Sequence, residues 1–188
     1  MPDATTIYLV RHGDVENPKG IIYGHLPGYG LSALGCAQMR TAAEMLVDRQ
    51  PFDTLFTSPL ERAQQSAAPL AERLKLQPTV DGRIAETDVH GYQGRSFDEL
   101  PSPYLTEAGV PGIESAASMR ARMIAWLADA RRHDRVVAVT HRDPIAILLL
   151  YWMGLGLSRL SALDVPTGSV HEVQLDGGKV ALSGPAIG

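Results

Sequence analysis

Arg135 to Thr140 (RVVAVT) is the run that most narrows what this chain can fold into. Its interior is apolar and mostly β-branched with no polar alternation, the pattern of a strand covered on both faces. Thr5 to Val10 (TTIYLV) and Asp53 to Thr57 (DTLFT) have the same β-branched and aromatic character, and Thr79 to Val80 a shorter trace of it. Segments of helical pattern separate these runs. Ser32 reads as an N-cap for a helix through Leu34, Met39, Met45 and Leu46 that stops before Pro51. Ser58-Pro59 reads as a second start, with Ser as cap and Pro at the first helical position, running to about Leu74. A third helix is expected over Ser115 to Arg132, where Met119, Met123, Trp126 and Leu127 share one face.

Asp143-Pro144 opens an apolar stretch, Ile145 to Leu157, that reads as a buried helix and its terminus. Val170 to Leu175 and Lys179 to Leu182, around Asp176-Gly177-Gly178, read as a terminal hairpin. Strands alternating with helices imply an α/β fold: one three-layer domain over residues 1–188, a mainly parallel sheet with helices on both faces. Two irregular segments interrupt it. Arg11 to Gly30 holds five glycines and two prolines, and Asp81 to Gly112 lacks a clear period; loops of such length are usually functional.

Composition removes several classes of function. A chain of 188 residues fills a single core. Its formal charge of −4 argues against a nucleic-acid partner, although a few local arginines can still dominate one pocket. Cys36 is the single cysteine, which precludes an internal disulfide and suits a reducing compartment. Met1 to Thr6 carries no signal-peptide pattern, and Ile145 to Leu157 is too short to span a bilayer. The expectation is a cytoplasmic protein with no membrane partner. Oligomeric state leaves no mark in the sequence.

In open α/β sheets ligands bind beyond the carboxyl ends of the strands. Three segments leave predicted strands there with polar side chains: Arg11-His12-Gly13, Ser58 to Arg62, and His141-Arg142-Asp143. An imidazole beside a fixed guanidinium suits phosphate better than metal, because arginine grips phosphate oxygens through paired charge-assisted hydrogen bonds. Gly13 allows close backbone approach to a ligand. Arg62 falls near a helix N-terminus, where backbone N–H groups favour an anion. His12 and His141 end separate strands and can meet in one crevice, one attacking phosphorus, the other, protonated, stabilising charge. Glu86 is the first candidate for the acid that protonates the leaving oxygen. Taken singly, each residue has a plainer reading: a core histidine, a solvated arginine, a loop glutamate. Asp14, Glu16 and Asp143 lack metal-ligand spacing relative to the histidines, and there is no Walker loop or G-x-S-x-G elbow. No metal and no cofactor is expected.

Leu9-Val10-Arg11-His12-Gly13 resembles the LVRHG signature of the histidine phosphatase superfamily, which includes the phosphoglycerate mutases. Leu31-Ser32 with Gly35 and Gln38 is similar to that family's L-[ST]-x-x-G-x-x-Q helix start. Ser58-Pro59-Leu60-Glu61-Arg62-Ala63 is similar to its S-x-x-x-R-A element, and Val139-Thr140-His141 to the segment of its second histidine. Order and spacing agree over nearly the whole chain.

The resemblance implies a phosphoglycerate mutase-like fold in which His12 is phosphorylated and Arg11, Arg62 and His141 complete the phosphate pocket. Glu86 matches the proton donor, with Gly94 at the distance of the last glycine in E-x-x-x-G-x-W-x-G. His90 replaces the first glycine and Tyr92 the tryptophan, which keeps Asp88 as the alternative acid. Asn17 stands one residue away from the family's phosphate-contacting asparagine, and His25 is a further candidate for substrate contact. Arg142 replaces a glycine, either selecting a second anionic group on the substrate or pairing with Asp143. The function implied is a metal-independent histidine acid phosphatase-type hydrolase acting on a small phosphorylated metabolite. A mutase-type phosphotransferase and an inactive binding domain are the alternatives. The family's mutases are expected to be longer chains with inserted lids. Here the stretch from Gly94 to Ser115 is short and carries no arginine between Ser96 and Ser118.

Overall fold

The computed structural model describes residues 4–176 and 178–184. Its sheet has the order β3-β2-β4-β1-β5-β6. The strands are β1 (Ala4–Arg11), β2 (Thr54–Thr57), β3 (Pro78–Val80), β4 (Arg135–Thr140), β5 (Val170–Asp176) and β6 (Lys179–Ser183). β1, β4, β2 and β3 pair in parallel, whereas β5 and β6 join antiparallel at the β1 edge. The expected hairpin is therefore present, and its turn residue Gly177 lies outside the described residues.

β1 shows why the chain adopts three layers. Alternate side chains point to opposite faces of a strand. Ile7 and Leu9 accordingly enter one core cluster, and Tyr8 and Val10 enter the other. On the Tyr8 side the sheet is covered by α1 (Ala33–Val47) and α2 (Glu61–Leu74), through Met39, Leu46, Ala63 and Leu70. On the Ile7 side it is covered by α3 (Ala116–Ala130) and α4 (Arg142–Met153). Every residue of α4 from Asp143 to Leu150 is buried, which accounts for an apolar run without helical alternation. Trp126 of α3 is fully buried and meets Phe56 of β2 edge-on, ring centroids 5.9 Å apart. Such aromatic pairs add about 1 kcal/mol to the burial of their surface.

The expected cap at Ser32 is present, its hydroxyl accepting from the Gly35 N–H at 3.0 Å. Ser58 is not a helix cap. The helix starts at Glu61, its N-cap Leu60 has no side-chain bond, and Pro59 lies outside it. Ser58 instead sits at the end of β2, its backbone N–H donating to the Val139 carbonyl at 3.0 Å. Its hydroxyl accepts from the Leu60 N–H at 3.3 Å and has room for a second partner. A 3-10 helix at Leu157–Ala162 follows α4, and two shorter ones, Gly82–Ile84 and Phe97–Glu99, punctuate the stretch without a clear period.

No described helix is long and apolar enough to cross a membrane.

Candidate active site

Parallel register brings the polar strand ends together. Arg11 pairs with Thr140 in the β1–β4 ladder, and the His12 N–H donates to the Thr140 carbonyl at 3.0 Å. His12, His141 and Ser58 are thus the first residues beyond three adjacent parallel strands, β1, β4 and β2. The two imidazole rings lie 5.0 Å apart between centroids.

Gly13 fixes the path of the chain after His12 through a close backbone contact. A Cβ on Gly13 would fall 2.5 Å from the Gly35 carbonyl oxygen, and one on Gly35 would fall 2.1 Å from that of Asp14. Two backbones touch here because neither residue has a side chain. The Gly13 N–H donates to Ser66 Oγ at 3.1 Å, and that hydroxyl donates to the Arg62 carbonyl at 2.7 Å. The loop after β1 is in this way joined to the start of α2.

His12 is buried, and its Nδ1 lies 2.7 Å from the Gly13 carbonyl, which fixes the ring proton on Nδ1. Nε2 therefore carries the lone pair, and it accepts from Arg62 Nε at 3.3 Å. Burial above all, then the neighbouring Arg62, pushes the His12 pKa down to about 3. The imidazole is neutral and nucleophilic at any ordinary pH. Arg62 is itself buried, donates to the Gly24 carbonyl at 3.1 Å and lies over the Tyr23 ring. Arg11 donates to the Val165 carbonyl at 2.6 Å, while its Nε is buried without a partner.

His141 is fully buried. Burial, Arg62 and His12 hold its pKa well below the usual histidine value, so the ring is neutral rather than protonated. Its Nε2 lies 2.7 Å from Ser58 Oγ, and its Nδ1 is buried with no partner. Ser58 thus belongs to the site. The sequence signal for it, Ser-Pro after a strand, was indistinguishable from a helix cap.

Glu86 lines the same cavity as Arg11, Arg62, Tyr23 and Arg142, a space of about 220 Å³. Its Oε1 accepts the N–H groups of Thr87 at 3.0 Å and Asp143 at 3.3 Å. Burial, then the charge of Asp143, raises its pKa to about 7, against the opposing pull of Arg62. A carboxyl so poised is protonated in good part at neutral pH, as a general acid must be. Asp88, the alternative acid, is nearly half exposed, pairs with His90 at 3.3 Å and lines an adjoining cavity that Glu86 also borders, away from Arg11 and Arg62.

The remaining candidates stand elsewhere. Both polar atoms of the Asn17 side chain bond the backbone of Ile21, bracing a turn. His25 Nε2 donates to the Glu86 carbonyl at 2.9 Å, and its ring lines the Asp88 cavity rather than the arginine-lined one. Arg142 reaches the pocket wall but pairs with Asp143 at 2.9 Å and donates to the Leu160 carbonyl at 3.1 Å. Asp143 is more than a partner for Arg142. It is 4% exposed, and its carboxylate also accepts from Thr87 Oγ1 at 2.6 Å and Tyr104 Oη at 2.7 Å. Among the described residues, no group of three or more His, Cys, Asp or Glu stands in metal-binding proximity.

Comparison with known proteins identifies the family and the fold. Residues 7–186 match the histidine phosphatase superfamily (branch 1). An uncharacterised protein of Mycobacterium tuberculosis is 36% identical over 167 residues, covering 82% of this chain and 81% of that one. The solved structure of a mycobacterial glucosyl-3-phosphoglycerate phosphatase superposes with a TM-score of 0.79 at 25% identity, covering 97% of both chains. A 2,3-bisphosphoglycerate-dependent phosphoglycerate mutase of Thermoplasma acidophilum is 26% identical over 186 residues, 94% of this chain and 90% of its own. That mutase is of similar length, so chain length does not separate the two reactions. The short stretch after Gly94 is also more than a plain connection, since Phe97, Leu100 and Tyr104 wall the pocket.

Proposed function

The chain belongs to the histidine phosphatase superfamily, branch 1, and on that premise we propose that it is a phosphomonoester hydrolase acting through a phosphohistidine on a small phosphorylated metabolite. The observation that carries this reading is the lone pair of His12 Nε2, which accepts from Arg62, while Arg62 lines one cavity with Arg11 and Glu86.

The phosphate enters among Arg11, Arg62 and His141. Its negative charge raises the proton affinity of His141, whose unpartnered Nδ1 can then hold a phosphoryl oxygen. His12 Nε2 attacks phosphorus; the N–P bond forms as the P–O ester bond breaks. Glu86 gives its proton to the departing alcohol oxygen and is left as a carboxylate. That carboxylate takes a proton from water, whose oxygen attacks phosphorus and releases His12 and inorganic phosphate. Arginines supply the positive charge throughout, joined by His141 once phosphate is bound, and the reaction is written without a metal.

Two assays test this. Phosphate release from a panel of phosphomonoesters should survive exhaustive chelation; loss of turnover restored only by added metal would refute the scheme. The Thermoplasma relative supports a second reading, in which the phosphoryl group returns to a bound intermediate. Incubation with 3-phosphoglycerate and a trace of 2,3-bisphosphoglycerate separates the two. Hydrolysis predicts phosphate release without isomerisation, whereas isomerisation much faster than release establishes the mutase. The absence of arginine from residues 96 to 118, the segment walling the pocket, favours hydrolysis.

A further inference from the structure

The arginine-lined cavity changes character away from His12. Ile22 and Val89 are buried in a small cluster with Ile113, and Leu100 and Tyr104 pack against it. Phe97, on the 3-10 turn, completes this apolar side of the cavity while remaining 53% exposed. A phenyl ring held open beside an apolar wall gains free energy only when another apolar group covers it.

Arg142 is the cation of this outer wall, and its charge is already matched. Its Nη1 donates to Asp143 Oδ1 at 2.9 Å and its Nη2 to the Leu160 carbonyl at 3.1 Å. Asp143 is held in turn by Thr87 and Tyr104, so the pair is locked rather than free to open. A substrate carrying a second acid would face a guanidinium already neutralised by the buried Asp143 carboxylate. Like charges in a confined site of low dielectric repel strongly.

Resting on the phosphatase reading above, we propose that the substrate is a phosphomonoester of an apolar or aromatic alcohol bearing no second acidic group. Phe97 contacts that alcohol, and Asp143 excludes the second anion by occupying Arg142.

The test compares kcat/KM for 2-phenylethyl phosphate and 3-phosphoglycerate with the full chain. Both are primary alkyl esters, so both need the proton from Glu86 and its contribution largely cancels in their ratio. The expected ratio is about tenfold or more in favour of the phenylethyl ester. Phe97→Ala, at an exposed position that folding tolerates, should lower kcat/KM for the phenylethyl ester about tenfold, mainly through KM, and for 3-phosphoglycerate much less. Asp143→Asn keeps one acceptor oxygen, which Thr87 and Tyr104 can share, and frees Arg142, and it should shift the ratio toward 3-phosphoglycerate by about tenfold. Equal or better hydrolysis of 3-phosphoglycerate by the unaltered protein would overturn the inference. An equal loss for both esters in Phe97→Ala would do the same. Failure to release phosphate from these or any other ester would instead remove the phosphatase reading itself, and this inference with it.

Discussion

Arg62 Nε donates to His12 Nε2 across 3.3 Å, so in the proposed reaction the side chain that orients the nucleophile would also grip the group it attacks. His12→Ala removes that nitrogen. Turnover should fall by about a thousandfold or more. Labelled substrate should leave acid-labile, base-stable phosphate on the parent protein and none on the variant. Label retained by His12→Ala would place the phosphoryl acceptor elsewhere.

Glu86 sets the alkaline side of the pH profile. Its carboxyl must be protonated to act as acid, and its pKa is raised to about 7, so turnover of alkyl esters should decline as pH rises above that value. Glu86→Gln should abolish this limb and slow alkyl esters about a hundredfold, while nitrophenyl phosphate, whose leaving group needs no proton, slows far less. Asp88→Asn should leave the alkyl-to-nitrophenyl ratio where it was, because Asp88 pairs with His90 outside the cavity. Equal slowing of both ester types in Glu86→Gln would exclude it as the acid.

The same pKa carries a stability consequence. Glu86 holds its proton more tightly folded than unfolded, a stabilising difference that is complete below the unfolded value of 4.5 and lost as pH rises through about 7. Glu86→Gln avoids ionising a packed carboxyl. It should therefore be more stable than the parent at pH 8.5, by about 1 kcal/mol, with the gap closing near pH 5. Urea midpoints at the two pH values measure the change.

Ser58→Ala should cost activity rather than folding. The hydroxyl lies 2.7 Å from His141 Nε2, and its loss leaves that ring held by packing alone. The expectation is a fall in kcat of about tenfold or more with the urea midpoint nearly unchanged. Partial rescue by Ser58→Thr, which restores the hydroxyl, would distinguish positioning from bulk. A parallel loss of stability and activity would mean that Ser58 is merely structural.

Gly35→Ala probes the backbone contact behind the nucleophile. The added Cβ would fall 2.1 Å from the Asp14 carbonyl oxygen, and backbone on both sides must move. A loss of about 2–3 kcal/mol of stability is expected, with weakened phosphoenzyme formation because the loop carrying His12 shifts. An unchanged urea midpoint would show the contact to be slack.

The sequence by itself determined the scaffold and the position of the chemistry along it. Arg135 to Thr140 became β4 with those bounds, and the α/β alternation placed His12 and His141 at neighbouring strand ends. These signals were legible because a strand or helix is recorded in the spacing of its own neighbouring residues. The ordered motifs added Arg62 and Glu86. Tertiary structure alone decided what each polar side chain faces. Ser58 looked like a cap and became the partner of a ring 83 residues away in sequence. His25 and Asn17 were drawn to backbone groups, and Arg142 was matched by Asp143. The charge states of His12, His141 and Glu86 likewise depend on burial and on ions contributed by distant segments. A hydrogen bond or a pKa depends on separations of a few ångströms between groups far apart in the chain, and packing sets those separations.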